Sequence, residues 1–385
     1  MSTTGHRIDS IDALRAIAML AVIAQHCGLL PFGWTGVWLF YVISGYVITV
    51  GIESRRTVGS SFGSSYFEFM RLRFARIVPP LLFYVFLCAG YAVVSGAWSN
   101  WQQQTPAVLG FFYNGWMILT SATDYPRWAP FGHLWTISTE QQFYLLFPLL
   151  AMLAPSRWRV PLCIVLITAS PALRFITSLW LPNEWGPGRR AFAVYAASHT
   201  QLDAFIMGAL VAYQQDQARR GIGGWSWLPH ATALVAAMYL ISMVMFNISA
   251  GARGLDLMRN IYSGVLYGQF REVFVYFSVS LAATWALVAS LKGAMIGGPR
   301  LQRHLAWLGR RSYSGYLIHL LVIVCLVALT GEPNIKSWSV GERCALLAAT
   351  LIVTTLCAHW MYEWIEVPAQ RCLRKGSPAA VRPAR

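Results

Sequence analysis

The chain has 385 residues, of which 56% are hydrophobic and only 12% charged, against about 25% charged in an ordinary soluble domain. Its formal net charge is +15, carried almost wholly by arginine, since Lys292, Lys336 and Lys375 are the only lysines. Continuous apolar runs of about 18 residues or more recur along the length, which excludes a soluble domain and argues against the alternating strands of a β-barrel.

Taken in order, these runs predict crossings at 13–30, 35–52 and 77–97, followed by an amphipathic piece at 105–120 that reads as re-entrant or interfacial. Further crossings are predicted at 134–154, 159–179, 200–214, 226–246, 270–291, 312–330 and 342–362. The expected fold is an all-α polytopic transmembrane bundle of ten helices. Ten crossings put both termini on one side. That side carries most of the Lys and Arg, including Arg55, Arg56, Arg71, Arg73, Arg76, Arg157, Arg159, Arg219, Arg220, Arg310 and Arg311. The bias places the termini in the cytoplasm, and it accounts for the positive charge without nucleic acid. A single membrane domain is expected over 1–370, with a loose basic tail over 371–385 close to anionic lipid. The seven cysteines are scattered, mostly within apolar runs and never as CxxC, so they read as small core residues rather than a disulfide framework or a metal site.

Ionisable groups inside a bilayer are costly and by default mark function. Among the acids, Glu140 and Asp203 fall within or at the mouth of an apolar span; among the histidines, His26, His319 and His359 lie in apolar runs and His133 just before one. Arg15 and His26 are eleven residues apart on the first helix, close to three turns and roughly 16 Å, so they share a face. On an outward-running first helix, Arg15 lies near the cytoplasmic surface and His26 deep in the outer half. The segment HLWTISTEQQFYLLFPLL enters from the outside, which brings His133, Trp135 and Glu140 to a similar depth. An imidazole and a carboxylate so placed form a base and its orienter, the arrangement that activates a hydroxyl for attack, and Asp203 is positioned to join them. In FMRLRFARIVPP, Arg73 and Arg76 share a helix face, and two guanidiniums so arranged suit a phosphate or pyrophosphate. Plainer roles remain open for each residue: an interhelical hydrogen bond for His26, a membrane anchor for Arg15, Arg73 and Arg76, and an ion pair or proton path for Glu140.

Several stretches together resemble the acyltransferase-3 family of integral membrane acyltransferases. Arg15 and His26 match its first element, and GVWLFYVISGYVIT is similar to its Ser-Gly segment at Ser44 and Gly45. RFARIVP matches its Arg-x-x-Arg, and HLWTISTEQQFYLLFP its Trp-Ser-Leu-x-x-Glu-x-x-Phe-Tyr element, here with Thr136 and Ile137 in place of Ser and Leu. LDAFIMGALVA, LGRRSYSGYLIHL and YEWIEVPAQRCL resemble the remaining elements, in family order, through Asp203, Gly208, Ser312, Tyr313, Tyr316, His319, Glu366 and Pro368. One departure is Gln201, where many members carry an arginine two residues before the aspartate. Some members also carry an extracytoplasmic hydrolase-like domain, so this chain reads as a stand-alone membrane module.

The resemblance implies a multi-pass protein of a bacterial inner membrane that transfers an acyl group, typically acetyl, from cytoplasmic acyl-CoA to a hydroxyl. On that reading His26 and Glu140 are catalytic, and Arg15, Arg73 and Arg76 hold the donor phosphates. Ser44, His133, Trp135, Tyr144, Asp203, Tyr316 and His319 are candidates for the substrate tunnel. Acetyl-CoA is the expected donor, no metal is required, and the expected acceptor is a cell-envelope carbohydrate such as a surface polysaccharide or lipopolysaccharide. Alternatives are a small glycoside such as a macrolide as acceptor or, in another class, a transporter of lipid or glycan.

Overall fold

The fold is given by a computed structural model, which describes residues 3–56, 62–120, 128–214, 225–295 and 297–374. Every regular element among them is helical. In chain order the helices are α1 (Thr3–His26), α2 (Thr35–Arg56), α3 (Phe62–Val94), α4 (Trp98–Leu109), α5 (Tyr113–Thr120), α6 (Trp135–Leu153), α7 (Ser156–Trp180), α8 (Pro187–Ala196) and α9 (Leu202–Tyr213). They are followed by α10 (Leu228–Ser249), α11 (Arg271–Leu291), α12 (Pro299–Arg310), α13 (Ser312–Thr330), α14 (Val340–Met361) and α15 (Val367–Arg374). A π-helical turn, Tyr362–Glu366, joins the last two.

Each of the ten predicted crossings is a helix. Seven of them, α2, α3, α7, α10, α11, α13 and α14, are long and apolar enough to cross a membrane by length and composition. The other three are α1, which carries Asp9, Asp12 and Arg15; α6, with its Thr, Ser, Glu and Gln residues; and α9, only 12 residues long. α9 falls short by length alone, and much of the surface of all three meets other helices rather than lipid: Asp12, Thr136, Ser138, Thr139 and Asp203 are all buried. They are also the helices that carry His26, Glu140 and Asp203. Asp9 of α1 bonds Arg310 of α12, and Arg76 of α3 bonds Glu366 of the π-turn ahead of α15; the end of the bundle where these pairs lie is its terminal end.

Three local readings change. The segment 105–120 is not one amphipathic piece but α4 and α5, broken at Gly110–Phe112, where Phe111 takes a left-handed φ of 53°. The third crossing starts at Phe62 rather than 77, so Arg71, Arg73 and Arg76 lie inside α3 and not ahead of it. A helix of 33 residues is about 50 Å long, more than the roughly 30 Å apolar core of a bilayer, which leaves its first turns in the interface. Residues 371–374 complete α15 rather than opening a loose tail; the rest of the expected tail, 375–385, and Arg219 and Arg220 lie outside the described residues. Of the cysteines, Cys27, Cys88 and Cys163 are buried, whereas Cys325, Cys344 and Cys372 are exposed on the outside of the bundle.

The centre of the bundle is the crossing of α2 and α9. Gly45 of α2 lies against the Phe205 carbonyl, and Gly208 of α9 against the Val42 carbonyl, so that an added Cβ at either site would overlap a backbone oxygen. Small residues let helix backbones approach this closely, which is how helices pack where water supplies no hydrophobic drive. Gly45→Ala and Gly208→Ala are therefore expected to force the helices apart. Each should lower the unfolding temperature of the detergent-purified protein, by overpacking of about 1–3 kcal/mol or more. An unchanged melting temperature in both variants would show that the crossing tolerates the extra methyl.

Candidate active site

The terminal end of the bundle holds a narrow cavity of about 70 Å³ between α1, α2, α3, α6 and α13. Its polar lining is Arg15, Ser44, Arg73, Arg76, Thr136, Glu140, Tyr144, Ser312, Tyr313 and Tyr316. Each arginine is held differently. Arg15 Nη1 lies 3.8 Å from Asp12 Oδ1, one turn earlier on α1. Arg76 Nε lies 3.5 Å from Glu366 Oε1. Glu366, only 1% exposed, also accepts from Ser314 Oγ at 3.1 Å and from Gln370 Nε2 at 3.2 Å. π-Turns are often found at functional sites, and this one carries Glu366 to Arg76. Arg73 has no carboxylate within ion-pair distance among the described residues; its guanidinium lies over the rings of Tyr144 and Phe69, at 5.3 and 5.5 Å. It is thus the cation of the three most available to a ligand.

Glu140 accepts hydrogen bonds from Ser44 Oγ and Tyr144 OH, and these two hydroxyls are themselves 3.2 Å apart. The three form a compact polar group facing the arginines. At the opposite end the cavity is closed by Tyr316, whose hydroxyl is 2.8 Å from Thr136 Oγ1 and whose ring packs on Phe40. Behind Tyr316 stand the histidines. Its ring is 5.2 Å from His133 and 5.4 Å from His319; His133 is 4.9 Å from His319, and His319 is 5.3 Å from His26. His133 and His319 are buried, whereas His26, the last residue of α1, is partly exposed and makes no hydrogen bond among the described residues.

The expected pairing of His26 with Glu140 is not formed. Along α6, Glu140 lies seven residues beyond His133, about 10 Å closer to the terminal end. It is His133, and not Glu140, that reaches the depth of His26. Asp203 does not join them either: it is locked to Arg174 of α7, with both side chains fully buried. Arg174 also donates from Nε to the Thr200 carbonyl at 2.7 Å. The cation that Gln201 lacks thus comes from another helix, while Gln201 bonds the Tyr195 carbonyl. Arg174 was detectable in the sequence as the single charged residue of PLCIVLITASPALRFITSLW. Trp135 points away from the cavity and packs on Tyr195 and Phe192. Ser44, Tyr144 and Tyr316 line the cavity as expected, and His133 and His319 stand behind it.

The model of the acyltransferase-3 acyltransferase domain matches residues 8–359, which takes in all of these groups except Glu366 and Gln370. The chain belongs to the acyltransferase-3 family. Among similar members are O-acetyltransferase OatA of Staphylococcus aureus, 25% identical over 94% of this chain and 57% of its own length, and putative peptidoglycan O-acetyltransferase YrhL of Bacillus subtilis, 26% identical over 95% and 55%. A third is peptidoglycan O-acetyltransferase OatA of Listeria monocytogenes, 25% identical over 94% and 56%. The chain therefore spans a little over half the length of these acyltransferase-3 relatives. No solved structure matches it significantly.

Proposed function

We propose that this acyltransferase-3 protein moves an acetyl group from acetyl-CoA, bound from the cytoplasm at the terminal end, to a hydroxyl of a cell-envelope carbohydrate presented at the histidine end. The observation that carries this reading is the alignment of three arginines, one cavity and three histidines along the bundle axis. The phosphates of the donor meet Arg73, Arg76 and Arg15, and its slender arm runs past Ser44, Glu140 and Tyr144 toward Tyr316. His26, half-exposed at the far end, is the general base on the acceptor. Glu140 holds Ser44 and Tyr144 beside the arm and does not orient His26. Two of the relatives named above, those of Bacillus subtilis and Listeria monocytogenes, are named for peptidoglycan, the former as putative, so a peptidoglycan-type glycan is the first acceptor to test, ahead of lipopolysaccharide.

The test uses bacterial membrane vesicles containing the full chain and acetyl-CoA radiolabelled in the acetyl group. Label should appear in the envelope-glycan fraction. If no fraction is labelled, and the vesicles neither bind the donor nor release CoA, the reading fails. The arginines give a sharper expectation. Charge-assisted hydrogen bonds contribute about 1.5–3 kcal/mol each, so Arg73→Ala should raise the donor KM about 10- to 100-fold with little change in acceptor KM. Arg76→Ala should also leave Glu366 buried without its cation and lower the yield of folded protein. An unchanged donor KM in Arg73→Ala would reduce Arg73 to a membrane anchor.

A further inference from the structure

We infer that His319 is the residue that orients His26, filling the place that a carboxylate takes in a serine–histidine–aspartate triad. This rests on His26 being the base of the transfer proposed above. His319 is fully buried, and its Nδ1 lies 2.6 Å from the Tyr316 carbonyl oxygen. A carbonyl only accepts, so Nδ1 carries the hydrogen, and in the neutral ring Nε2 is left with a lone pair. That Nε2 has no hydrogen-bond partner among the described residues, and an unmet buried acceptor is costly.

Among the described residues, three titratable groups face His319. The Tyr316 hydroxyl, on its own helix, is engaged by Thr136. His133, ahead of α6, is buried edge-on between Tyr84, Tyr316 and His319, and neither of its ring nitrogens has a hydrogen-bond partner among the described residues; being buried, it offers an acceptor no open face, unlike His26. His26, at the end of α1, has its ring centre 5.3 Å away and no other hydrogen bond among the described residues. A short ring adjustment lets one His26 nitrogen donate its hydrogen to His319 Nε2. The tautomer of His26 is then set: its other nitrogen carries the lone pair and faces the open side.

In the reaction, that lone pair takes the proton of the acceptor hydroxyl as the oxygen attacks the thioester carbon. The new C–O bond forms, the C–S bond breaks, and the CoA thiolate takes the proton from His26, so both imidazoles return to their starting state. His319 acts through His26 and gains or loses no proton. A neutral partner also suits the site, since it adds no unpaired charge to the apolar interior, as a carboxylate would.

The experiment compares His319→Leu, which removes the acceptor atom, with His319→Gln, whose side-chain oxygen can replace it, in vesicles of the full chain with labelled acetyl-CoA. His319→Leu should lower kcat about 100-fold or more without a matching rise in donor KM. His319→Gln should recover to within about tenfold of the parent protein. In a His26→Ala background, His319→Leu should cost nothing further, because the two residues act as a unit. A parent-like kcat in His319→Leu, equal losses in the Leu and Gln variants, or additive losses with His26→Ala would each overturn the assignment. Should His319→Leu not accumulate in membranes, His319→Met is the apolar variant to compare. Full activity in His26→Ala alone would instead strike at the proposed base, before any His319 variant is considered.

Discussion

Replacing His26 by alanine is expected to abolish acyl transfer and leave the membrane fold intact. The residue is the last of α1, is partly exposed, and its side chain makes no hydrogen bond among the described residues, so its removal costs the bundle little beyond the ring contact with His319. A general base, by contrast, supplies about 10²–10⁴ of the rate. The measurement is label transferred per mole of protein, with the unfolding temperature of the same preparation beside it. Loss of transfer at an unchanged melting temperature is the expected pair of results. Transfer near the parent level would reject His26 as the base, whatever the fate of its neighbours.

The second large effect concerns stability and not chemistry. Arg174 and Asp203 are both fully buried and bonded to one another, and the Arg174 guanidinium also lies over the Tyr276 ring at 5.4 Å. Breaking such a pair from one side leaves the other charge uncompensated, at about 3–5 kcal/mol. Arg174→Ala and Asp203→Ala should each leave little folded protein in the membrane. Replacing both with apolar residues, Arg174→Met with Asp203→Leu, should recover much of the stability, because a well-packed apolar pair often substitutes for a buried ionic one. The rescued double variant should still transfer acetyl, since neither residue lines the cavity. A double variant that folds but is inactive would return Asp203 to the catalytic path. Single variants as stable as the parent would show that the pair is not needed for folding.

These two cases also show what could be read from the chain alone. Crossings were legible because apolar runs long enough to span a bilayer have few other uses. The polar inventory was legible for the same reason: an arginine, histidine or glutamate in such a run stands out, and Arg15, Ser44, Arg73, Arg76, Tyr144 and Tyr316 do line one cavity. Depth was harder. Glu140 and His26 each lie in the half of their helix expected, yet seven residues along α6 separate Glu140 from the level of the histidines. Partner choice was harder still, because it depends on which helices touch. Nothing local to LDAFIMGALVA reveals that its aspartate meets an arginine 29 positions earlier. Glu366 is similar: its place beside Arg76 depends on the π-turn that rotates it inward, and no periodicity in YEWIE announces that turn.

The contact that closes the cavity has a further consequence. An enzyme that draws one substrate from each side of a membrane needs a polar path between them, and a continuous wet path would let ions drain the gradients on which the cell lives. Here the cavity ends at the hydrogen bond between Thr136 and Tyr316, backed by the rings of Phe40, His133 and His319. On the two-sided route proposed above, Tyr316 and Thr136 would serve as a plug in the electrical insulation of the bilayer, keeping the resting protein from becoming a channel.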